Sequence, residues 1–233
     1  MEKLFDSYSE FLLEGRRCTS FSQENAKCLL IQLGDGNDKN ELDEQVKSIW
    51  DMSRIPFDMV FIGVNDWNHD LSPWKAPAVF GKEGFGDGAR DTLAFVEKAI
   101  PVLTSRFELD PNIPVILGGY SLSAFFALWS AYQSERFSAI ASASPSVWFP
   151  GWIEIARNNC PKTKHIYLSL GDREEKTKNP VMSKVGSCII EMEKILKVKD
   201  VDVLLEWNEG NHFAQTGLRC AKAFSWCLGR LVH

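Results

Sequence analysis

The stretch "ILGGYSLSAFFALW", Ile116 to Trp129, sets two serines in a glycine-flanked turn between a β-type apolar run and a segment of helical period. A serine at the apex of a strand–turn–helix can serve as an acyl nucleophile if the residues two places to either side are small enough for strand and helix to converge. Around Ser121 those places hold Gly119 and Ser123; around Ser123 they hold Ser121 and Phe125, and a phenylalanine does not fit there. Ser121 is therefore the candidate nucleophile. The plain alternative is a βα turn whose serine caps the helix.

A hydroxyl attacks only when a base takes its proton and a carboxylate orients that base. Of the four histidines, His233 is terminal, His165 opens a strand-like run and His69 lies in an irregular loop. His212, in "EWNEGNHFAQT", follows the last strand candidate and precedes the last helix. Loops at the carboxyl ends of strands are where an α/β sheet places its chemistry. The acid is expected between serine and histidine in the chain, where "DREEKTKN" after the run "HIYLSLG" offers Asp172, Glu174 and Glu175. Glu174, three residues past Gly171, is best spaced to turn back across the sheet edge. An oxyanion also needs donors. The N–H of Leu122 supplies one, and the loop in "LIQLGDGNDKNEL" the other, with Asp35 the first choice and Gly36 the alternate. A phosphate loop there lacks the Lys-Ser/Thr pair, and Asp35 would repel a phosphate, so no cofactor is implied.

These residues need a sheet to hold them. Short apolar runs alternate with helical periods, the pattern of βα units around a mostly parallel sheet. The strand candidates are Cys28 to Gly34, Phe57 to Val64, Pro114 to Tyr120, Phe137 to Ser144, His165 to Gly171 and Val201 to Trp207, with an antiparallel edge in Glu10 to Phe21. Apolar stripes predict helices through Leu42 to Trp50, Leu93 to Leu103, Val181 to Ile195 and Phe213 to Leu228. Asn65 to Gly88 has neither period and is rich in Trp, Pro and Gly, the mark of a functional loop bordering a cleft. Trp67, His69, Trp74 and Phe85 there, with Trp148, Phe149 and Trp152 after "SASPS", suit an aromatic-walled cleft; at least half of them are expected in the core. Trp67, His69, Trp74 and Trp148 are the substrate-binding candidates. Asp66, His69 and Asp70 lie close together, but a lone loop cluster of this kind is ordinarily solvated, and no metal is implied.

At 233 residues, without repeat, linker or composition break, residues 1–233 are expected to form one domain. The net charge of −5 disfavours nucleic acid and anionic membranes as partners. The first 25 residues carry acidic groups throughout and no apolar core of a secretory signal, which points to the cytoplasm, and the six cysteines read as reduced and mostly buried. Nothing in the sequence sets an oligomeric state.

Together and in this order, "GGYSLSA", "LGDREEKTKNP" and "EGNHF" resemble the α/β-hydrolase superfamily, and most closely its esterase branch containing esterase D and the ferric-enterobactin esterases. The resemblance spans roughly Cys28 to Leu228, and "NHDLSPWKAP" is similar to a loop that borders the substrate in that branch. It implies an α/β-hydrolase fold, a mostly parallel central sheet flanked by helices on both faces. It also implies a serine esterase acting on a small-molecule ester through an acyl-enzyme on Ser121, with His212 as base and Glu174 as orienting carboxylate. "Leu-Gly-Asp-Gly-Asn" departs from the commoner His-Gly-x-x-Gly oxyanion loop. An acyltransferase on the same machinery, or a ligand-binding homologue without catalysis, are the alternatives.

Overall fold

The apolar runs bury alternate residues on opposite faces of one sheet, as a period of two requires. The computed structural model describes residues 5, 7–79 and 81–232. Its strands are β1 (Ser7–Leu13), β2 (Arg16–Ser22), β3 (Leu29–Gly34), β4 (Asp58–Gly63), β5 (Val115–Tyr120), β6 (Ala139–Ala143), β7 (His165–Gly171) and β8 (Asp202–Asn208). The helices are α1 (Gly36–Asn40), α2 (Leu42–Ser53), α3 (Trp67–Asp70), α4 (Ala89–Arg106), α5 (Leu122–Gln133), α6 (Trp152–Asn158), α7 (Val185–Val198) and α8 (Thr216–Leu231).

The eight strands lie in the order β1-β2-β4-β3-β5-β6-β7-β8. β3 to β8 are parallel, and the β1–β2 hairpin joins β4 antiparallel, the edge foreseen from Glu10 to Phe21. Leu29, Ile31 and Leu33 of β3 pack on one face with α4, α5, α6 and α7, whose contributions include Val96, Phe125, Trp152 and Ile189. Leu30 packs on the other face with Val46 and Ile49 of α2 and Phe224 and Leu228 of α8. The winding direction reverses at β3, whose neighbours β4 and β5 are reached by crossovers to opposite sides. Such a switch point opens a crevice at the carboxyl ends of the strands.

Two helix starts and one loop depart from the sequence pattern for local reasons. The last helix starts at Thr216 instead of Phe213, because the Asn211 side chain accepts the Phe213 N–H and Gln215 takes a left-handed φ of 54°, so the chain turns before it coils. The stripe from Val181 becomes α-helical only at Val185; Asn179 Oδ1 accepts the N–H groups of Val181 and Met182 and holds a tight turn first. The Asn65 to Gly88 segment contains α3 and a bridge between Ala76 and Phe85, elements too short to leave a period.

Four of the six cysteines are buried, Cys188 is half-buried and Cys160 exposed, all as free thiols. No helix among the described residues is long and apolar enough to cross a membrane. Trp152, a cleft candidate in the sequence, is instead wholly buried under α5, edge-on to Phe125 and Tyr132. Its truncation to alanine is expected to cost about 3–5 kcal/mol of unfolding free energy in urea titration; a loss under about 1 kcal/mol would show that this ring is not core.

Candidate active site

Ser121 connects β5 to α5 with φ 59° and ψ −119°, a conformation that costs a non-glycine residue about 1–3 kcal/mol and persists only where its surroundings impose it. They do so through the backbone: the Ser121 N–H donates to Ala143 O at 3.2 Å, and its carbonyl accepts from Phe125 and Ser146 at 3.0 and 3.1 Å. The serine does not cap the helix with its side chain. The steric reason for the small neighbours is explicit, since a Cβ on Gly119 would sit 2.1 Å from Ser123 Oγ. Ser123 itself is buried and donates its hydroxyl to Leu33 O at 2.6 Å, tying α5 to β3. Of the two serines, Ser121 alone faces the cavity.

The structure brings Ser121, His212 and Glu174 together from the carboxyl ends of β5, β8 and β7. His212 Nε2 lies 2.9 Å from Ser121 Oγ and His212 Nδ1 lies 2.6 Å from Glu174 Oε2. Tyr120 donates its hydroxyl to the His212 carbonyl at 2.6 Å, fixing the turn that carries the imidazole. Glu174 is buried, and its Oε1 accepts from Gly171 N–H at 2.7 Å, Ser144 Oγ at 2.8 Å and Arg219 Nη1 at 2.8 Å. Burial by itself would push this carboxyl up, but the hydrogen bond and charge of His212, with the Gly171 and Ser144 donors, outweigh it and hold Glu174 below the ordinary carboxylate range. Asp172 and Glu175, the other acids of the turn, are exposed; Asp172 Oδ1 instead accepts the Gly210 N–H, bracing the histidine turn from the other strand.

Two hollows flank the serine. The larger, about 440 Å³, has walls of Trp67, Phe85 and Trp148, with Arg173 and Lys176 at its border. The smaller, about 350 Å³, shares Trp67, Ser121, His212 and Phe213 with it and is lined on its far side by Asp35, Asp38 and Glu41. Trp67 and Trp148 line the larger hollow. His69 and Trp74 line neither of these hollows. The His69 ring lies over Gly86 and Gly88, where a Cβ would come within 2.6 and 2.4 Å of it, and its Nδ1 is 3.3 Å from Asp70 Oδ1; it fastens the loop to itself. Trp74 donates Nε1–H to Pro150 O at 2.9 Å and meets Phe149 edge-on, supporting the aromatic wall from behind.

Leu122 opens α5, so its N–H is among the first-turn donors that lack an intrahelical acceptor, and the residue lines the main cavity beside Ser121. Asp35, the first choice for the second donor, has a partner for its N–H. Asp35 borders the smaller hollow, but its N–H donates to Asp38 Oδ2 at 3.0 Å while its own carboxylate accepts from Asn37 and Asp38, a capping box for α1. Its amide is thus engaged within its own turn. Gly36, the alternate, lines a separate hollow of about 590 Å³ against the β1–β2 hairpin.

Sequence reasoning missed Arg219, Ser144 and Tyr120. Arg219 had a readable signal: a base in the first turn of α8, against the helix dipole, on the same side as buried Ala223. Ser144 had none, for its role depends on a left-handed φ of 47° at the end of β6 that nothing local announces.

No protein-family model and no curated protein matches this chain. Solved structures do. An IroE-like serine hydrolase from Shewanella oneidensis superposes with TM-score 0.79 at 17% identity, over 94% of this chain and 79% of that one. The siderophore hydrolase EstA from Aspergillus nidulans gives 0.71 at 14% identity, over 96% and 94%. The enterobactin esterase FES from Shigella flexneri gives 0.68 at 13% identity, over 96% and 60%. The chain has the α/β-hydrolase fold, with a mostly parallel sheet between two helical layers.

The capping box generates a test of local electrostatics. Burial, then the neighbouring carboxylates of Asp35 and Glu41, push Asp38 up to about 6 from 3.8 against the opposing Asp35 N–H. A carboxyl that holds its proton more tightly folded than unfolded adds stability below its unfolded value and loses it as pH rises through its folded one. Asp38→Asn keeps an acceptor for the Asp35 N–H. It is expected to raise urea stability by about 1 kcal/mol at about pH 8 and by progressively less toward about pH 4. A gain independent of pH would rule out this electrostatic origin.

Proposed function

We propose that this protein is a serine-dependent carboxylic ester hydrolase. The observation that carries the reading is Ser121 Oγ held 2.9 Å from His212 Nε2 on a backbone whose φ is 59°. Ser121 attacks the ester carbonyl while His212 takes its proton. Glu174, bonded to Nδ1, holds the imidazole in the tautomer that presents a free Nε2 and stabilises the cation that forms. The Leu122 N–H faces the developing oxyanion, and His212 then protonates the departing alcohol. Water repeats these steps on the acyl-enzyme and returns free serine. The names of the superposed proteins, serine hydrolase, siderophore hydrolase and enterobactin esterase, support the same reaction.

Two hollows that both reach the serine favour an ester with two sizeable groups over a simple acetyl ester. Large planar rings bury much area at little entropic cost, so Trp67, Phe85 and Trp148 suit an aryl-bearing half, and Arg173 and Lys176 suit anionic substituents on it. Aryl-acyl siderophore esters meet that description.

Ser121→Ala and His212→Ala are each expected to cut kcat/KM by at least about a thousandfold, the two acting as one unit, with circular dichroism unchanged. A fluorophosphonate should add once, on Ser121, and an adduct on Ser123 or none at all would defeat the reading. Trp148→Ala is expected to raise KM for an aryl-acyl ester about tenfold while leaving an acetyl ester within about twofold, since only the first uses that wall. Equal effects on both esters would remove Trp148 from substrate recognition.

A further inference from the structure

Arg219 lies in the first turn of α8, where the helix dipole disfavours a cation, and it is 0% exposed. A charge taken this far from water needs partners. Its Nη1 donates to Glu174 Oε1 at 2.8 Å, Tyr120 Oη at 3.0 Å and Ser144 Oγ at 3.2 Å. Its Nη2 donates to the carbonyls of Glu209 and Asn211 at 3.1 and 3.0 Å, which flank Gly210 in the turn leading into His212. The Nε–H meets no acceptor among the described residues, so the guanidinium is aimed at these groups at the expense of one donor.

We infer that Arg219 is a positioning residue for the ester hydrolysis proposed above: it holds Glu174 Oε1 so that Oε2 meets His212, fixes the histidine turn by two carbonyls, and keeps the buried Glu174 ionised. The role rests on that reading of Ser121, His212 and Glu174. The groups facing Glu174 support it. His212 comes from the turn after β8, Tyr120 from β5, Ser144 from just past β6 and the Gly171 N–H from β7, so Arg219 is the permanent cation of the set. Asp172, Arg173, Glu175 and Lys176 of the same turn are exposed and are screened by water. Without Arg219, two neutral donors and an imidazole would have to keep a buried carboxylate charged, and its proton would bind at higher pH.

The experiment uses the full chain and p-nitrophenyl butyrate as probe, with kcat and KM measured from about pH 5 to about pH 9 for wild type, Arg219→Met and Arg219→Lys. Arg219→Met is expected to lose at least about tenfold in kcat near neutral pH with KM within about twofold, and the acid limb of its profile to move up by about one pH unit or more. Arg219→Lys keeps a cation but not the fork, so it should restore the limb while recovering only part of kcat. A methionine variant with unchanged kcat and limb overturns the inference, as does a loss equal at every pH or a lysine variant no better than methionine. Should Arg219→Met not fold, Glu174→Gln alone and combined with Arg219→Met decides: no further loss of kcat in the double variant supports action through Glu174, and a full additional loss refutes it. Wild type that neither turns over nor takes a fluorophosphonate on Ser121 defeats the esterase reading and the inference with it. Active wild type with an unaffected Arg219→Met defeats the inference alone.

Discussion

Glu174 buries a carboxylate at the end of β7, and much of the site is arranged to make that burial tolerable. Its two oxygens accept from His212, Ser144, Gly171 and Arg219, which belong to four separate stretches of chain. In a low-dielectric interior a charge with good partners is held firmly and one with a missing partner is costly, so the network is stable only as a whole. The same bonds that satisfy the carboxylate fix the ends of β6 and β7, the start of α8 and the turn bearing His212. Structural and chemical demands therefore coincide in one residue.

The strain at Ser121 is the second constraint, and the sheet absorbs it. Backbone bonds to Ala143, Phe125 and Ser146 clamp the serine between β6, the following loop and α5, so relaxing φ would break several bonds at once. Close packing then dictates sequence around it. Gly119 leaves room for Ser123, whose hydroxyl reaches Leu33 and binds the Ser121 turn, the elbow between β5 and α5, to β3. Gly118 is pressed from the other face, where a Cβ would lie 2.6 Å from Phe224 of α8. Helices on both faces of the sheet thus press toward the elbow.

Aromatic side chains divide between two tasks according to layer. Phe149 and Trp152 stack on and against Phe125 in the core, Trp74 braces Phe149 from the loop, and Phe85 and Trp148 present the outer surface of that stack to the cavity. The cavity wall is in this sense the exposed edge of the core, which gives it rigidity. Phe213 stands apart, 85% exposed beside His212 at the border of both hollows.

The sequence by itself determined the sheet, the elbow and the order of serine, acid and histidine. Those depend on periodicity and on steric limits at Gly119 and Phe125 that act within a few residues. His212 and Glu174 were legible because chemistry occupies the carboxyl ends of parallel strands, and those ends could be located from the apolar runs. Tertiary structure alone decided which buried groups serve them. Arg219 is 45 residues beyond Glu174, and Ser144 is 30 before it, distances over which no local propensity carries information. The same limit explains the placement of the aromatics. Whether Trp74 or Trp148 meets the cavity depends on which layer packs beneath it, and Asp35 was removed as a free donor by the side chain of Asp38, three residues on, in a helix too short to show a period.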